Sequence, residues 1–248
     1  MNAEKAFKDL IIKFPFNGYI NTNSLNGIYK TVANVAIKNL KPGASILDFG
    51  SGPCDKIGLL KLMGFNCTAC DDLQDDWHTE ENSREKILNF ANSLDIQFYQ
   101  LNGNELPFEN ESFDMVILND VIEHLHNSPR SLLESLIERL KYNGILFVTV
   151  PNAGNIRKRI NLLIGKTNMP PFSEYYWYQG PWRGHNREYV YDDLKKLAKF
   201  LNLKDVNIRG ENHMLERIPK VIRPIYLFIT TIFHGWRDSW SLIAKKTN

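Results

Sequence analysis

A glycine turn follows a short apolar segment in the stretch ILDFGSGPCDKIGLL, at residues 46–60. Such a turn between a buried strand and a helix lets a ligand approach the backbone closely, and the helix N-terminus adds unsatisfied N–H groups. Gly50 and Gly52 fit this pattern, but Asp55 stands where a dinucleotide fingerprint has its third glycine. Because a carboxylate is poorly placed beside a pyrophosphate, the turn predicts a ligand other than a dinucleotide.

Carboxylates near this turn indicate a ligand that carries cationic groups. Asp48 lies near the end of the predicted strand before the turn, and Asp71 ends the next predicted strand. S-adenosylmethionine has a sulfonium and an ammonium group and no phosphate, which makes it the candidate ligand. The Asp71 carboxylate can accept two hydrogen bonds from ribose hydroxyls. The alternative for Asp71 is a role as a helix cap or turn residue.

His124 is the first candidate for a general base. It lies in the stretch VIEHLH, about one turn after Asn119 and Asp120, which follow the fourth predicted strand. An imidazole has an ordinary pKa of about 6.5, which suits removal of a proton near neutral pH. The alternative is a structural role in the turn after that strand. His126 diverges from His124 around a helix axis, so the sequence predicts no metal site.

A second candidate cluster lies in the stretch YYWYQGPWRGHNREY, within a predicted substrate loop or lid at about residues 153–190. Its aromatic rings can cover a sugar or quinone-like ring, and its arginines can pair with carboxylate or phosphate groups. His185 is a second candidate catalytic residue. The alternative is a loop that covers the sheet end with its own packed aromatic side chains. The candidate substrate-binding residues are Trp182, Arg183, Arg187 and Tyr189.

Short apolar segments alternate with helical patterns from residue 45 onward, which predicts strand–helix–strand units and a mostly parallel sheet. The predicted strands are 45–49, 67–70, 96–100, 113–118, 144–150, 204–210 and 239–246. The predicted helices cover about 54–63, 129–141, 154–164 and 191–203. Ligands of open parallel sheets bind past the carboxyl ends of the strands, which is where the candidate residues fall.

Two stretches carry a resemblance to a known family: ILDFGSGPCDKIGLLKLMGFNCTACD and ELPFENESFDMVILNDVIEHLHNSPRSLLESLIERLKYNGILFVTVPN. They resemble the core of the class I S-adenosylmethionine-dependent methyltransferases, especially the branch with ubiquinone-biosynthesis O-methyltransferases and glycan or lipid modifiers. The similarity covers about residues 44–152, with a weaker match over 185–203. It implies an α/β, Rossmann-like fold with a seven-stranded, mostly parallel sheet, helices on both faces and an antiparallel last strand.

The resemblance also implies a set of residues that bind S-adenosyl-L-methionine. The glycine turn would lie beneath the methionine part of the cofactor, with Asp48 anchoring nearby; Asp71 would hold the ribose and Leu73 would lie against the adenine ring. Asn102 stands where the family often has an acidic residue that reads the adenine amino group, and its carbonyl oxygen can accept the same bond. Cys54 replaces a smaller residue of the family. The implied cofactor residues are Asp48, Gly50, Gly52, Asp71, Leu73, Asn102 and Asn119.

The predicted organisation is an N-terminal helical cap at residues 1–43 and a methyltransferase domain at 44–248. An apolar insertion at about 213–236 interrupts the last pair of strands. Arg217, Lys220 and Arg223 precede its apolar part, a composition that suits the interface of a membrane with anionic headgroups. The apolar part is too short to span a membrane, which needs about 20 apolar residues. The alternatives are a buried helix and a dimer contact.

The composition is that of a globular protein, with 43% hydrophobic and 23% charged residues in a chain of 248. Residues 1–150 carry a net charge of −7 and residues 151–248 carry +9, which suits a negatively charged substrate or surface; a solvated basic face is the alternative. The three cysteines and the lack of a basic-then-apolar leader predict a cytoplasmic protein with buried, unpaired thiols. No recognised nucleic-acid module is found, so no nucleic-acid partner is predicted.

Together, these features predict an S-adenosylmethionine-dependent methyltransferase that acts on oxygen of a glycan, a lipid-linked sugar or another small acceptor. One alternative is a methyltransferase that acts on oxygen or carbon of a quinone precursor or other small molecule. Another is a non-catalytic module that binds the cofactor without an acceptor pocket. The apolar insertion adds the prediction of peripheral contact with the inner face of a membrane.

Overall fold

The structure is a computed structural model that describes residues 2–75, 78, 82–103 and 106–247. Its centre is a seven-stranded sheet in the order β3-β2-β1-β4-β5-β7-β6. Strand β7 runs antiparallel to β5 and β6, and the pairs among β1 to β5 are parallel. The predicted fold class is therefore confirmed. The strands are β1 (Ser45–Phe49), β2 (Asn66–Asp71), β3 (Gln97–Gln100), β4 (Phe113–Asn119), β5 (Leu140–Pro151), β6 (Lys204–Glu211) and β7 (Ser239–Lys245).

Helices pack on both faces of the sheet, and each predicted helix has a counterpart within a few residues of its predicted bounds. Two described helices precede β1, as expected for the N-terminal cap. The helices are α1 (Ala3–Lys13), α2 (Gly27–Asn39), α3 (Asp55–Leu62), α4 (Ser83–Ser93), α5 (Arg130–Arg139), α6 (Ile156–Leu163), α7 (Phe172–Trp177), α8 (Tyr191–Phe200) and α9 (Arg223–Ile232). The short helices α7 and α4 were not predicted from the sequence.

Two hydrophobic cores, one on each face of the sheet, hold these layers together. On one face, Phe7 and Leu10 of α1 are fully buried with apolar residues of α2, α3 and α4. On the other face, Leu133 and Leu136 of α5 pack with Leu194 of α8. Strand β4 is buried along nearly its whole length, as its near-continuous apolar sequence FDMVILN requires. The N-terminal helices thus belong to the same packed body as the sheet.

The cysteines lie within this packed body. Cys54, Cys67 and Cys70 are all buried and unpaired, which confirms the prediction made from their number. Cys67 and Cys70 lie on β2, and burial raises the pKa of both thiols well above the ordinary range. Both thiols therefore stay protonated and behave as small apolar side chains.

The apolar insertion forms the exposed helix α9, flanked by short 3-10 turns at Leu215–Arg217 and His234–Trp236. Thr230 is the one residue of this helix that is buried, whereas Phe228 is 68% exposed. The alternative of a buried helix is therefore wrong, because the apolar side chains of α9 face outward. Among the described helices, none combines the length and the hydropathy that crossing a membrane requires.

Candidate functional site

The glycine turn after β1 is closed by main-chain hydrogen bonds, and the Val121 side chain leaves no room for a Cβ at Gly50. The N–H groups of Gly50 and Ser51 donate to the Cys70 carbonyl oxygen at 2.8 and 3.1 Å. Gly50 has a φ of +71°, and a Cβ there would lie 2.6 Å from Cγ2 of Val121. Gly52 also has a positive φ, of +51°. Gly50 is therefore required by its backbone conformation and by the nearby Val121 side chain, and the approach of a ligand to this turn stays a prediction.

Asp71 ties the glycine turn to the loop after β2. Its Oδ2 accepts a hydrogen bond from the Gly52 N–H at 2.8 Å, and its Oδ1 accepts one from the Leu73 N–H at 2.7 Å. The turn role considered for this residue is therefore present in the structure. Each carboxylate oxygen has a second lone pair, so the same group can also accept hydrogen bonds from two ribose hydroxyls.

Asp48 of β1 and Asn119 of β4 each have a buried side-chain atom that lacks a hydrogen-bond partner among the described residues. Asp48 is 1% exposed, and neither its Oδ1 nor the Nδ2 of Asn119 has a hydrogen-bond partner among the described residues. Burial raises the pKa of Asp48 to about 7, against the lowering effect of Lys56. Buried polar atoms of this kind are normally satisfied, so a cationic, hydrogen-bonding ligand fits this place.

The N-terminal helices reach the site through Asp55, the residue that departs from the dinucleotide pattern. The Tyr29 hydroxyl of α2 donates to Asp55 Oδ2 at 2.6 Å, and the Lys56 ammonium lies 3.2 Å from Asp55 Oδ1. Asp55 is almost fully buried at the start of α3. The cap thus closes over the helix end beside the glycine turn, and sequence reasoning missed this contact because 26 residues separate the partners.

The two residues predicted to contact adenine lie in different surroundings. Leu73 is fully buried with a φ of +51° and belongs to the core on the α1 face. Asn102 is exposed, in the loop after β3. The sequence around them at 76–77, 79–81 and 104–105 lies outside the described residues. The adenine contacts remain a prediction.

The two candidate catalytic histidines lie together although 61 positions separate them in the chain. The rings of His124 and His185 meet edge-on with centroids 4.8 Å apart. Glu123 completes the group, and one ligating atom from each of the three residues lies within 4.8 Å of the others. The N–H groups of Asn186 and Arg187 donate to the Glu123 carbonyl oxygen and hold the loop in this position. The loop around residues 183–187 therefore lies beside the residues that follow β4.

Hydrogen bonds fix which nitrogen of each histidine carries a proton. His124 Nδ1 lies 2.7 Å from the Arg183 carbonyl oxygen, which can only accept, so Nδ1 carries the hydrogen and Nε2 of the neutral ring keeps its lone pair. His185 Nδ1 lies 2.9 Å from Glu188 Oε1. Burial, and after it His124 and Lys158, lowers the pKa of His185 to about 4. His185 is therefore neutral at physiological pH.

Glu123 is a buried carboxyl group that the predicted site did not include. Both of its side-chain oxygens lack a hydrogen-bond partner among the described residues, and the side chain is fully buried. Burial, with Asp120 nearby, raises its pKa well above the ordinary range. The stretch VIEHLH contained the signal, since Glu123 directly precedes His124. Three such groups at this spacing also suit one cation, and the absence of a metal stays a prediction.

Arg183 and Trp182 contact the protein rather than open space. The Arg183 guanidinium donates to Asp75 at 2.6 Å and to both oxygens of Asp72 at 3.0 Å. Trp182 meets the rings of Tyr175 and Tyr178 edge-on. Arg183 thereby joins the substrate loop to the loop that follows Asp71, and the aromatic residues partly cover one another as the packed-loop alternative expects.

Arg187 and Tyr189 differ in exposure. The Arg187 side chain is 66% exposed and lies 3.5 Å from Asp193. Tyr189 is buried, and its hydroxyl donates to the Ile122 carbonyl oxygen at 3.3 Å. Its main chain also forms an isolated parallel β-bridge with Asn152, just after β5. Tyr189 therefore holds the loop against the end of β4, while Arg187 is available to an acceptor.

Comparison with known proteins agrees with this geometry. A family model described as a methyltransferase domain matches residues 26–208. A SAM dependent methyltransferase from Archaeoglobus fulgidus superposes with a TM-score of 0.59 at 19% identity, covering 88% of this chain and 93% of that chain. A possible histamine N-methyltransferase from Thermotoga maritima gives a TM-score of 0.59 at 14% identity, covering 99% of this chain and 100% of that one.

A third structure was solved with the cofactor bound. Phosphoethanolamine N-methyltransferase 2 of Haemonchus contortus, in complex with S-adenosyl-L-methionine, gives a TM-score of 0.55 at 15% identity, covering 98% of this chain and 60% of that one. No curated protein sequence matches the chain. The family match spans most of the chain and includes the glycine turn, Asp71 and His124. The chain therefore belongs to the methyltransferase-domain family and is an S-adenosylmethionine-dependent methyltransferase of the class I fold.

Proposed function

We propose that this enzyme methylates a hydroxyl oxygen of a glycan, a lipid-linked sugar or another small acceptor, with His124 as the general base. The observation that carries the proposal is the bond between His124 Nδ1 and the Arg183 carbonyl oxygen, because it leaves Nε2 free to take a proton. His185, with its pKa lowered to about 4, is a weaker base and serves to orient the acceptor hydroxyl. Both residues lie beyond the end of β4, where an acceptor is expected.

The proposed cofactor site uses the groups around the glycine turn. Bound S-adenosylmethionine supplies an electrophilic methyl group for in-line displacement by the acceptor. Asp48 offers a carboxylate oxygen to its cationic groups, Asn119 offers an N–H donor to its carboxylate, and Asp71 offers acceptors to ribose. Asn102 remains the proposed reader of the adenine amino group. These assignments follow from burial, charge and hydrogen-bonding capacity.

The proposed acceptor site lies between the histidine pair and the substrate loop. Trp182 presents a flat apolar face, and Arg187 is the exposed cation of the loop. Arg183 and Tyr189 act as positioning residues, since their polar atoms already bind Asp72, Asp75 and Ile122. An acceptor hydroxyl placed beside His124 would have aromatic cover on one side and cations on the other.

Methyl transfer can be tested with cofactor that is labelled in its methyl group. The purified protein would be incubated with this cofactor and a panel of free sugars, sugar phosphates, uronic acids and catechols. We expect label on oxygen of a sugar-type acceptor, located by nuclear magnetic resonance. Transfer to catechol oxygen alone would contradict the glycan assignment. Calorimetric cofactor binding without transfer to any compound would favour a non-catalytic module.

We also propose that α9 and the adjacent lid touch the inner face of a membrane while the enzyme is cytoplasmic. Val221 is 88% exposed, Leu163 of α6 is 85% exposed and Trp177 of α7 is 77% exposed. The Arg159 guanidinium lies over the Trp236 ring, which joins α6 to the insertion. Basic residues flank this apolar surface, which is the composition of an interfacial segment.

Vesicle flotation tests the membrane contact. The protein should float with vesicles that contain phosphatidylglycerol and remain unbound with phosphatidylcholine alone. Phe228→Glu should abolish flotation, whereas Phe200→Glu, at a phenylalanine of α8 that is 78% exposed, should not. Equal flotation of both variants would overturn the assignment. A dimer seen by light scattering that Phe228→Glu dissociates would favour the dimer-contact alternative.

A further inference from the structure

A second cleft opens beside the proposed acceptor site, at the other end of the sheet's carboxyl edge. It has a volume of about 930 Å³ and is bounded by the ends of β5 and β6 and the start of β7. The side chains that define its character are Arg159, Arg237, His234, Tyr191 and Trp240. This size is sufficient for a ligand of one or two rings. None of the predicted site residues lines it.

Two arginine side chains of this cleft, Arg159 and Arg237, have no carboxylate partner within 4.0 Å among the described residues. Arg159 Nε donates to the Gly154 carbonyl oxygen at 2.6 Å. The Arg209 side chain donates to Asn207 at 3.0 Å and lies on the opposite face of β6 from Gly210 and Trp240, so it does not enter the cleft. Arg237 uses its Nε and Nη1 on the carbonyl oxygens of Thr230 and Gly210. A guanidinium has five N–H donors, so each keeps donors for another group. Converging unpaired cations favour an anionic ligand that can neutralise them.

Aromatic rings and carboxylates complete the lining. Tyr191 is 48% exposed and packs on Trp240 with ring centroids 5.6 Å apart. Asp192 and Glu211 also border the cleft and supply hydrogen-bond acceptors. A flat aromatic face with acceptors at its edge suits a ring that carries several hydroxyl groups. Together with the arginines, this combination suits a sugar that bears a phosphate or carboxylate.

The cleft adjoins the histidine cluster through two segments of the chain. In α6, Lys158 bonds to Glu188 on the cluster side, and the next residue, Arg159, lines the cleft. The last part of the substrate loop, residues 183–189, includes His185 of the histidine cluster. The residues that follow Val190, Tyr191 and Asp192, form part of the cleft wall. Three strand spacings separate β4 from β6, a distance of about 14 Å. A ligand with more than one ring can therefore reach both places.

We infer that this cleft binds the anionic part of an acceptor with more than one ring, a sugar that carries a phosphate or carboxylate, while a hydroxyl of another ring lies beside His124. This inference rests on the proposed function, because the cleft serves an acceptor only if methyl transfer takes place next to it. It names a substrate class, an acidic or phosphorylated sugar, that the family match leaves open. The net charge of +9 on residues 151–248 would attract such an anionic sugar to the cleft.

Calorimetric titration of the full-length protein at low salt tests the inference. Glucose 1-phosphate should bind saturably, and glucose should bind much more weakly. Arg159→Gln removes a guanidinium that keeps donors toward the cleft, and it should weaken glucose 1-phosphate binding about tenfold. Arg237→Gln should act in the same direction. Arg130→Gln, at an exposed arginine of α5 paired with Glu134, is the matched control and should have no effect.

Three outcomes separate the inference from the proposed function. Equal binding of glucose and glucose 1-phosphate, or unchanged binding in both cleft variants, would overturn the anion site. Unchanged S-adenosylmethionine affinity in the cleft variants supports a separate site, whereas a protein that binds no cofactor at all contradicts the proposed function and leaves the anion measurement standing. If the cleft variants lost binding to phosphatidylglycerol vesicles but kept their affinity for glucose 1-phosphate, the arginines would be assigned to lipid headgroups and the sugar assignment would be overturned.

Discussion

The two ends of the sheet's carboxyl edge are built in opposite ways. At the cofactor end, Asp48, the glycine turn and Asp71 come from one continuous stretch, and the buried charges are carboxylates. At the acceptor end, side chains from the end of β4, from α6, from the substrate loop and from the insertion meet, and the dominant charges are arginines. The difference teaches that the cofactor site is local in sequence, whereas the acceptor site exists only once the chain has folded.

Electrostatics sharpen this comparison. Burial raises the pKa of Asp48 to about 7, so this carboxyl group is largely protonated below that pH. The arginines at the acceptor end stay charged throughout and keep donors for an anion. The proposals therefore assign the more acidic half of the edge to the cationic cofactor and the arginine-lined cleft to an anionic acceptor. Substitutions in each half should have separable effects.

The largest expected effect is on chemistry at the acceptor end. His124→Ala should lower the turnover number for methyl transfer by about 10²–10⁴-fold, because it removes the proposed general base. Affinity for S-adenosylmethionine should stay within about twofold, since no predicted cofactor residue is changed. The measurement is initial rate with labelled cofactor, alongside calorimetry. His126→Ala, at an exposed histidine two residues away, is the matched control, and equal losses in both variants would argue against His124 as the base.

The second effect is on stability at the cofactor end and depends on pH. An unfolded Asp48 ionises with its ordinary pKa near 3.8, whereas the folded side chain stays protonated up to about pH 7. Stability is therefore lost as pH rises between these values, and Asp48→Asn should recover up to about 4 kcal/mol above pH 7 and little below pH 4. Urea unfolding across this range measures the difference. A gain that does not vary with pH would contradict buried-charge repulsion.

Asp48→Asn should lower the affinity for the cofactor, although it raises the stability of the free protein. Cofactor binding brings cationic groups to an ionised Asp48, so Asp48→Asn should weaken S-adenosylmethionine binding at alkaline pH while it stabilises the free protein. Calorimetry at about pH 8 checks this prediction. A variant that is both more stable and a tighter binder would break the proposed division between an acidic and a basic half.

The third effect tests the close approach at the glycine turn. Gly50→Ala should destabilise the protein by about 1–3 kcal/mol more than Gly43→Ala does. Both glycines have a positive φ, but a Cβ at Gly50 meets Val121, whereas one at Gly43 meets no atom within 4 Å. Thermal unfolding of both variants supplies the comparison. Adding Val121→Ala to Gly50→Ala should restore part of the loss, and no rescue would mean that backbone strain alone is responsible.

The smallest effect concerns the link between the two halves. Arg183→Gln removes a partly exposed pair of contacts to Asp72 and Asp75 and should cost no more than about 1 kcal/mol of stability. Hydrogen exchange in the loop around residues 183–187 should nevertheless become faster, because these contacts hold it. Lys141→Gln, which breaks a half-exposed pair with Asp114 elsewhere, should leave that exchange unchanged.

Much of the cofactor end could be predicted because strand, turn and helix signals are local. Glycines after an apolar run and an aspartate at the next strand end place the turn and Asp71 without knowledge of distant contacts. The strand bounds agree for the same reason, since alternation of apolar strands and amphipathic helices is read from neighbouring residues. The cap was expected over the cofactor, but its contact through Tyr29 and Asp55 was not, because nothing in either segment specifies the other.

At the acceptor end, the sequence predicted which residues were candidates but not how their side chains are arranged. The histidines and arginines of the loop were identified, but the sequence does not show that Arg183 turns toward Asp72 or that Tyr189 is buried. Glu123 was seen beside His124 in the stretch VIEHLH but was given no role, because the sequence does not show that its carboxyl group is fully buried. The arginines of the second cleft are spread over 79 positions, from Arg159 to Arg237, so no motif search would group them.

One residue spans both halves of the edge. The side chain of Arg183 binds the acidic loop that follows Asp71, while its main-chain carbonyl holds the imidazole of His124. The loop that follows Asp71 and the His124 ring are therefore connected through one residue, by its side chain on one side and its main-chain carbonyl on the other. If that loop orders when the methyl donor binds, the same residue would help to fix the His124 ring, which predicts that the methyl donor binds before the acceptor.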